Sequence, residues 1–145
     1  AVGTIGDRQL QKLETLLART ADRDRFRVLL IHHPPVPGAV SWRKRLTDSP
    51  ALQSLLARYG AELVLHGHAH KTGLSRLKIP GGQVAVIGVP SASAAGRNPQ
   101  RRARYFTYHI TPRTSGWHLR IAARVYSPDG NRFIADHEHP FSRLP

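Results

Sequence analysis

The chain has no cysteine in its 145 residues, which excludes a disulfide framework and any thiolate metal site. Metal chemistry here must use nitrogen and oxygen donors. Carboxylates are scarce as well. Asp and Glu total 9 against 22 Lys and Arg, a formal net charge of +13. Such a balance attracts polyanions, phosphate esters and anionic lipid surfaces. The lysines are only Lys12, Lys44, Lys71 and Lys78, and the remaining cations are arginine. Arginine-rich usage accompanies GC-rich genomes, so the charge by itself assigns no function. No apolar run approaches the length of a membrane span, which argues against a membrane protein. No signal peptide is visible, and the cytoplasm is the default compartment.

The apolar fraction of 40% is enough to build a folded core. Mixed α/β enzyme domains often run to roughly 200–250 residues, and the first residue here is Ala1 rather than Met. The expectation is that residues 1–145 form the carboxyl-terminal part of a single larger domain. A histidine-rich metal site also needs carboxylates, and an acidic segment elsewhere would correct both the charge and the ligand count.

Periodicity gives the elements. Asp7 reads as the cap of a helix from about Arg8 to Arg19, with Leu10, Leu13, Leu16 and Leu17 on its apolar face. Phe26 to Ile31 reads as a buried parallel strand. The three prolines between His32 and Gly38 exclude helix and strand, leaving a fixed loop at the strand's carboxyl end. Asp48 or Ser49 caps a second helix with Pro50 at its first position, and Gly60 stops it. Glu62 to Leu65 is the next short strand. This alternation is that of parallel α/β units. A hairpin follows, Gly73 to Ile79 and Gln83 to Val89 around Pro80-Gly81-Gly82. Arg104 to Ile110 and Trp117 to Tyr126 read as two antiparallel strands joined by a turn from Thr111 to Gly116. The tail from Ser127 reads as turn-rich.

Both parallel strands end at histidine. The first runs into His32-His33-Pro34-Pro35, the second into His66-Gly67-His68-Ala69-His70. Gly67 lets the backbone turn without a Cβ, so His68 and His70 can converge just past a strand end. Neutral imidazole suits zinc, iron, manganese or nickel. His32, ending its strand directly, reads as a ligand. His33 alternates to the other side and reads as a supporting or substrate-facing group. His66 reads as a packed or hydrogen-bonded histidine. His109, His118, His137 and His139 are scattered and read as incidental.

His32-His33-Pro34-Pro35 followed by Gly67-His68-Ala69-His70 resembles the second half of the calcineurin-like metallophosphoesterase family. The likeness extends over Leu46 to Tyr59 and over Val89-Pro90-Ser91-Ala92-Ser93, and it is nearest to bacterial members resembling class III cyclic-nucleotide phosphodiesterases and glycerophosphodiesterases. It implies an α/β fold, a β-sandwich of two mixed sheets flanked by helices in four layers, of which this chain is the carboxyl-terminal half. It implies a hydrolase acting on a phosphodiester or phosphomonoester through a metal-bridging hydroxide. Two divalent or trivalent ions (Mn, Fe or Zn) would be held, one by His32 and His68 and the other by His70. The family's earlier motifs, Asp-x-His, Gly-Asp and Gly-Asn-His-Asp/Glu, are absent before His32. Gly6-Asp7 imitates the second but lies too close to His32 and reads as a helix start. The bridging carboxylate and the general acid are therefore expected on an amino-terminal half outside this chain, and the chain alone is expected to be inactive.

Two basic clusters remain. Trp42-Arg43-Lys44-Arg45 follows the His32 loop, and Trp42 and Arg43 read as substrate-side groups beside His33. Arg97 to Arg104 reads as solvated surface. The rival to a phosphoesterase is a non-catalytic basic module that binds nucleic acid or a protein partner. No nucleic-acid motif supports it.

Overall fold

A computed structural model describes residues 2–21, 24–95 and 98–137. Helix α1 (Asp7–Arg19) precedes strand β1 (Val28–Ile31), helix α2 (Ser49–Tyr59) and strand β2 (Leu63–His66). The hairpin β3 (Gly73–Ile79) and β4 (Gly82–Gly88) follows. Last come β5 (Arg104–Arg113), β6 (Gly116–Ser127) and β7 (Arg132–Ala135). Single 3-10 turns lie at Trp42–Lys44 and Pro99–Arg101. No helix among the described residues is long and apolar enough to cross a membrane.

Among the described residues the fold is α/β, with two helices and two sheets. The first sheet has the order β1-β2-β4-β3. β1, β2 and β4 are parallel, and β3 runs antiparallel to β4. The second sheet, β5-β6-β7, is wholly antiparallel, so only one of the two sheets is mixed. Alternation of side chains along the strands divides the core. Val64, Val84 and Val86 face the helices and pack with Leu17, Leu52 and Leu56. Leu63 and Ile87 face the other way, against Phe106 and Tyr108 of β5 and Leu119 and Ile121 of β6. The first sheet is thus covered by helices on one side and by a second sheet on the other.

Several boundaries differ from expectation for identifiable reasons. Asp7 is the first residue of α1 rather than its cap. Gly6, at φ 81°, is the N-cap and offers no side-chain bond. The Asp48 carboxylate instead accepts from the Ile5 and Gly6 amides at 2.9 Å each. Asp48 is the N-cap of α2, but this service to α1 leaves its side chain with no bond to its own helix. Leu16 is 58% exposed, because the stripe of α1 that meets the core passes through Leu10, Leu13 and Leu17. The turn expected at Thr111 to Gly116 shrinks, since β5 runs through Pro112 to Arg113 and β6 starts at Gly116. β5 is an edge strand, where a proline lacking an N–H costs no ladder bond. The tail adds a strand that alternation does not reveal, β7, followed by an Arg104 Nε to Asp136 Oδ2 bond of 2.7 Å.

The most consequential correction concerns β1. It is parallel, as expected, but it is not buried on both faces. It forms the open edge of the first sheet, with Leu30 73% exposed. Next to it, Arg27 and Glu62 join the starts of β1 and β2. The guanidinium Nε and Nη2 donate to the two carboxylate oxygens at 3.0 and 2.9 Å, and Nη1 donates to the Tyr59 carbonyl at 2.9 Å.

Candidate metal centre

Register aligns the three parallel strands at one end. Ile31 lies opposite His66, and His66 opposite Gly88. The carboxyl ends of β1, β2 and β4 therefore open at one level, where open parallel sheets place their ligands. His32 and His33 follow β1 there. Pro34 and Pro35 are buried, and the Pro35 carbonyl accepts from Gln53 Nε2 of α2 at 2.7 Å. The Gly67 amide donates to the His32 carbonyl at 3.1 Å, which extends the β1–β2 pairing one step past the strands.

The loop after β2 turns in an unexpected way. Gly67 is not in the left-handed region, and a Cβ there would meet His32 atoms only at 3.8 Å, an ordinary contact. The left-handed residues are His68 (φ 61°) and His70 (φ 51°). A side chain in that region carries a steric cost of about 1–2 kcal/mol. Non-glycine residues in such strained conformations cluster at functional sites.

His32 Nε2 lies 3.1 Å from His68 Nδ1. His33, expected on the opposite side of the chain, is not there. Its ring stands 4.1 Å from that of His68, tilted by 33°, because the backbone leaves strand geometry at His32 and alternation no longer applies. His32, His33 and His68 can each offer one ring nitrogen, all within 4.8 Å of one another. His70 is not in this cluster. It is exposed and lines an adjacent hollow with His68. Trp42 lines a different hollow, among Pro34, Val36 and Pro50, with the Arg45 guanidinium 3.1 Å over its ring. Arg43 is exposed and lines neither hollow.

His66 is buried, and its Nδ1–H donates to the Gly67 carbonyl at 3.0 Å. Burial holds its pKa below the usual value. His109 and His118 are exposed on the second sheet, and His137 follows β7. His139 and Arg97 lie outside the described residues.

One contact carries no signal in the sequence. A Cβ on Gly3 would stand 2.3 Å from His33 Nδ1, so the bare Gly3 backbone lies against that ring. Gly3 is fixed there by its amide on the Arg45 carbonyl (3.0 Å) and its carbonyl on the Thr47 amide (2.8 Å).

The donor set fits one metal ion. His68 Nε2 is buried without a hydrogen-bond partner. Desolvation, then the charges of His33, His32 and Lys44, hold the His68 pKa below its ordinary value, so the ring is neutral and able to ligate at pH 7. Three imidazoles with an open position suit a borderline divalent ion such as zinc. The described residues do not by themselves fit a bridged pair of ions, since no carboxylate joins the cluster.

The chain is 36% identical over 92 residues to a protein of Synechococcus sp. (strain WH7803) named "Probable cyclic nucleotide phosphodiesterase". The matched region is 61% of this chain and 34% of that protein. The chain thus spans about a third of the relative's length. No protein-family model matches.

Proposed function

We propose that this chain is the carboxyl-terminal half of a calcineurin-like metallophosphoesterase, a four-layer domain that hydrolyses a phosphodiester or phosphomonoester. The observation that carries the reading is the convergence of His32, His33 and His68 at the carboxyl ends of parallel strands. The likeness to a protein named as a phosphodiesterase supports it. His32 and His68, with His33 by position, would hold one ion, and His70 would serve a second. The bridging carboxylate and the general acid would come from an amino-terminal half. The open edge of β1, with Leu30 exposed, is a surface such a half would cover.

Bound ions of the manganese, iron or zinc type would supply Lewis acidity toward phosphate oxygens and toward water. The chain's own part is to present imidazole nitrogens in fixed orientation. The buried Pro34-Pro35 pair holds the His32-His33 backbone, and the Gly67 amide ties that backbone to the His68 loop.

Hydrolysis of bis(p-nitrophenyl) phosphate with added manganese tests the assignment in the protein that joins both halves. His68→Ala is expected to abolish turnover, and this chain alone is expected to show none. Equal rates in the joined protein and its His68→Ala variant would sink the reading. The basic-module alternative predicts binding of single-stranded nucleic acid that is strongest at low salt. No binding there removes it.

A further inference from the structure

One cation from each of the two basic clusters, separate in sequence, lines the same hollow. A hollow of about 300 Å³ is lined by Ser41, Lys44, His68, His70, Lys71 and Arg101. Lys44 arrives on the 3-10 turn after the His32 loop, Lys71 directly follows His70, and Arg101 closes the turn before β5. Among the described residues, no carboxylate lines the hollow. Three arginines of the fold are engaged with carboxylates: Arg27 with Glu62, Arg58 with Glu14, Arg104 with Asp136. Among the described residues, Lys44, Lys71 and Arg101 have no ion-pair partner.

From this convergence we propose that the hollow binds a second anionic group of the substrate, next to the phosphate ester that the histidines would address. The inference rests on the phosphoesterase reading and names its substrate class: a phosphate ester that carries a further phosphate or phosphate-like anion. Three like charges around one concavity repel one another, and a bound anion relieves that repulsion. A solvated face spreads its cations over open surface. Here three separate stretches of chain bring them to one depression beside the imidazoles. The volume is at the small end of ligand pockets, about 300–1,000 Å³, which suits a phosphate with a few attached carbons rather than a polymer. Arginine adds a two-pronged donor, and lysine adds point charges.

Binding of inorganic phosphate to the metal-free chain is the first test, read by calorimetry at low salt. Lys44→Ala, Lys71→Ala and Arg101→Ala are each expected to weaken binding about two- to fivefold, as befits exposed charge pairs of up to about 1 kcal/mol. Lys78→Ala, which removes the same charge from β3, is expected to change it little. Absence of phosphate binding, or an equal loss in Lys78→Ala, overturns the site.

A second arm uses the joined protein. The ratio of kcat/KM for a diester bearing a terminal phosphate to that for bis(p-nitrophenyl) phosphate is expected to fall about tenfold in Arg101→Ala and to hold in Lys78→Ala. An unchanged ratio in Arg101→Ala overturns the substrate class. Failure to hydrolyse either diester overturns the phosphoesterase reading and the substrate class with it, while the calorimetry decides the anion site separately.

Discussion

Gly3→Ala should weaken metal binding without replacing any ligand. The new Cβ would stand 2.3 Å from His33 Nδ1 and 2.5 Å from Cε1, where ordinary contact begins at 3.4 Å. The ring must withdraw by the difference, about 1.1 Å. The backbone of residue 3 is held by hydrogen bonds on both sides, to Arg45 and Thr47, so the ring gives way first. Metal–ligand distances tolerate only about 0.2 Å, so such a shift takes His33 out of reach. Disturbing the groups that orient a metal ligand costs about 10- to 100-fold in affinity. The same loss, about 1.4–2.7 kcal/mol, is expected here.

Zinc titration by calorimetry reads this effect, and a double-mutant cycle with His33→Ala isolates its route. If residue 3 acts through His33, the methyl group adds nothing once that ring is gone. An unchanged zinc affinity in Gly3→Ala refutes the argument, as does a full further loss in the His33→Ala background.

Tyr108 has its hydroxyl buried between the sheets without a partner. Tyr108→Phe is therefore expected to be neutral or to stabilise by about 1 kcal/mol in urea unfolding. Burial pushes the Tyr108 pKa up to about 12 from 10, so the unfolded chain loses this proton first as pH rises. Its contribution is fully present below pH 10 and is lost between 10 and about 12, a loss the Phe variant should lack when both proteins are unfolded across that range. Glu62→Gln strands the Arg27 guanidinium, of which only 15% of the side-chain surface is exposed. A fully buried pair broken in this way costs 3–5 kcal/mol, and partial exposure reduces that to about 2, measurable as a lower urea midpoint. At acid pH the sign is set by His66 and His68, whose folded pKa values lie below 6.5. The unfolded chain then binds more protons, so stability of the metal-free protein is full above pH 6.5 and falls as pH drops below it. A flat stability profile from pH 7 to 5 would contradict this.

Much of this architecture could be read from residue pattern. The parallel strands ending in histidine, the second helix between them and the Pro80-Gly81 hairpin all rest on local periodicity and turn chemistry. The meeting of His32 with His68 followed, because two parallel strands in register bring their carboxyl ends together. The missed features share a different origin. Gly3 against His33, and Lys44 with Arg101 beside His70, join residues remote in sequence through loops whose path no periodicity encodes. Gly67 drew the reading toward itself, while the unusual backbone angles fall on His68 and His70. β7 escaped notice because all four of its residues are exposed, so its sequence shows no buried alternation.

The open edge of β1 also bears on how this chain behaves in a test tube. Unpaired backbone groups next to an exposed Leu30 offer a template on which another strand can add. Nothing at that edge resembles the usual deterrents, since β1 is Val28-Leu29-Leu30-Ile31, without lysine, proline or bulge. Two copies at high concentration are expected to meet edge to edge there, which would be read as self-association. Leu30→Lys places a charge where such pairing would bury it, and its remedy is read as a lower sedimentation coefficient at the same protein concentration.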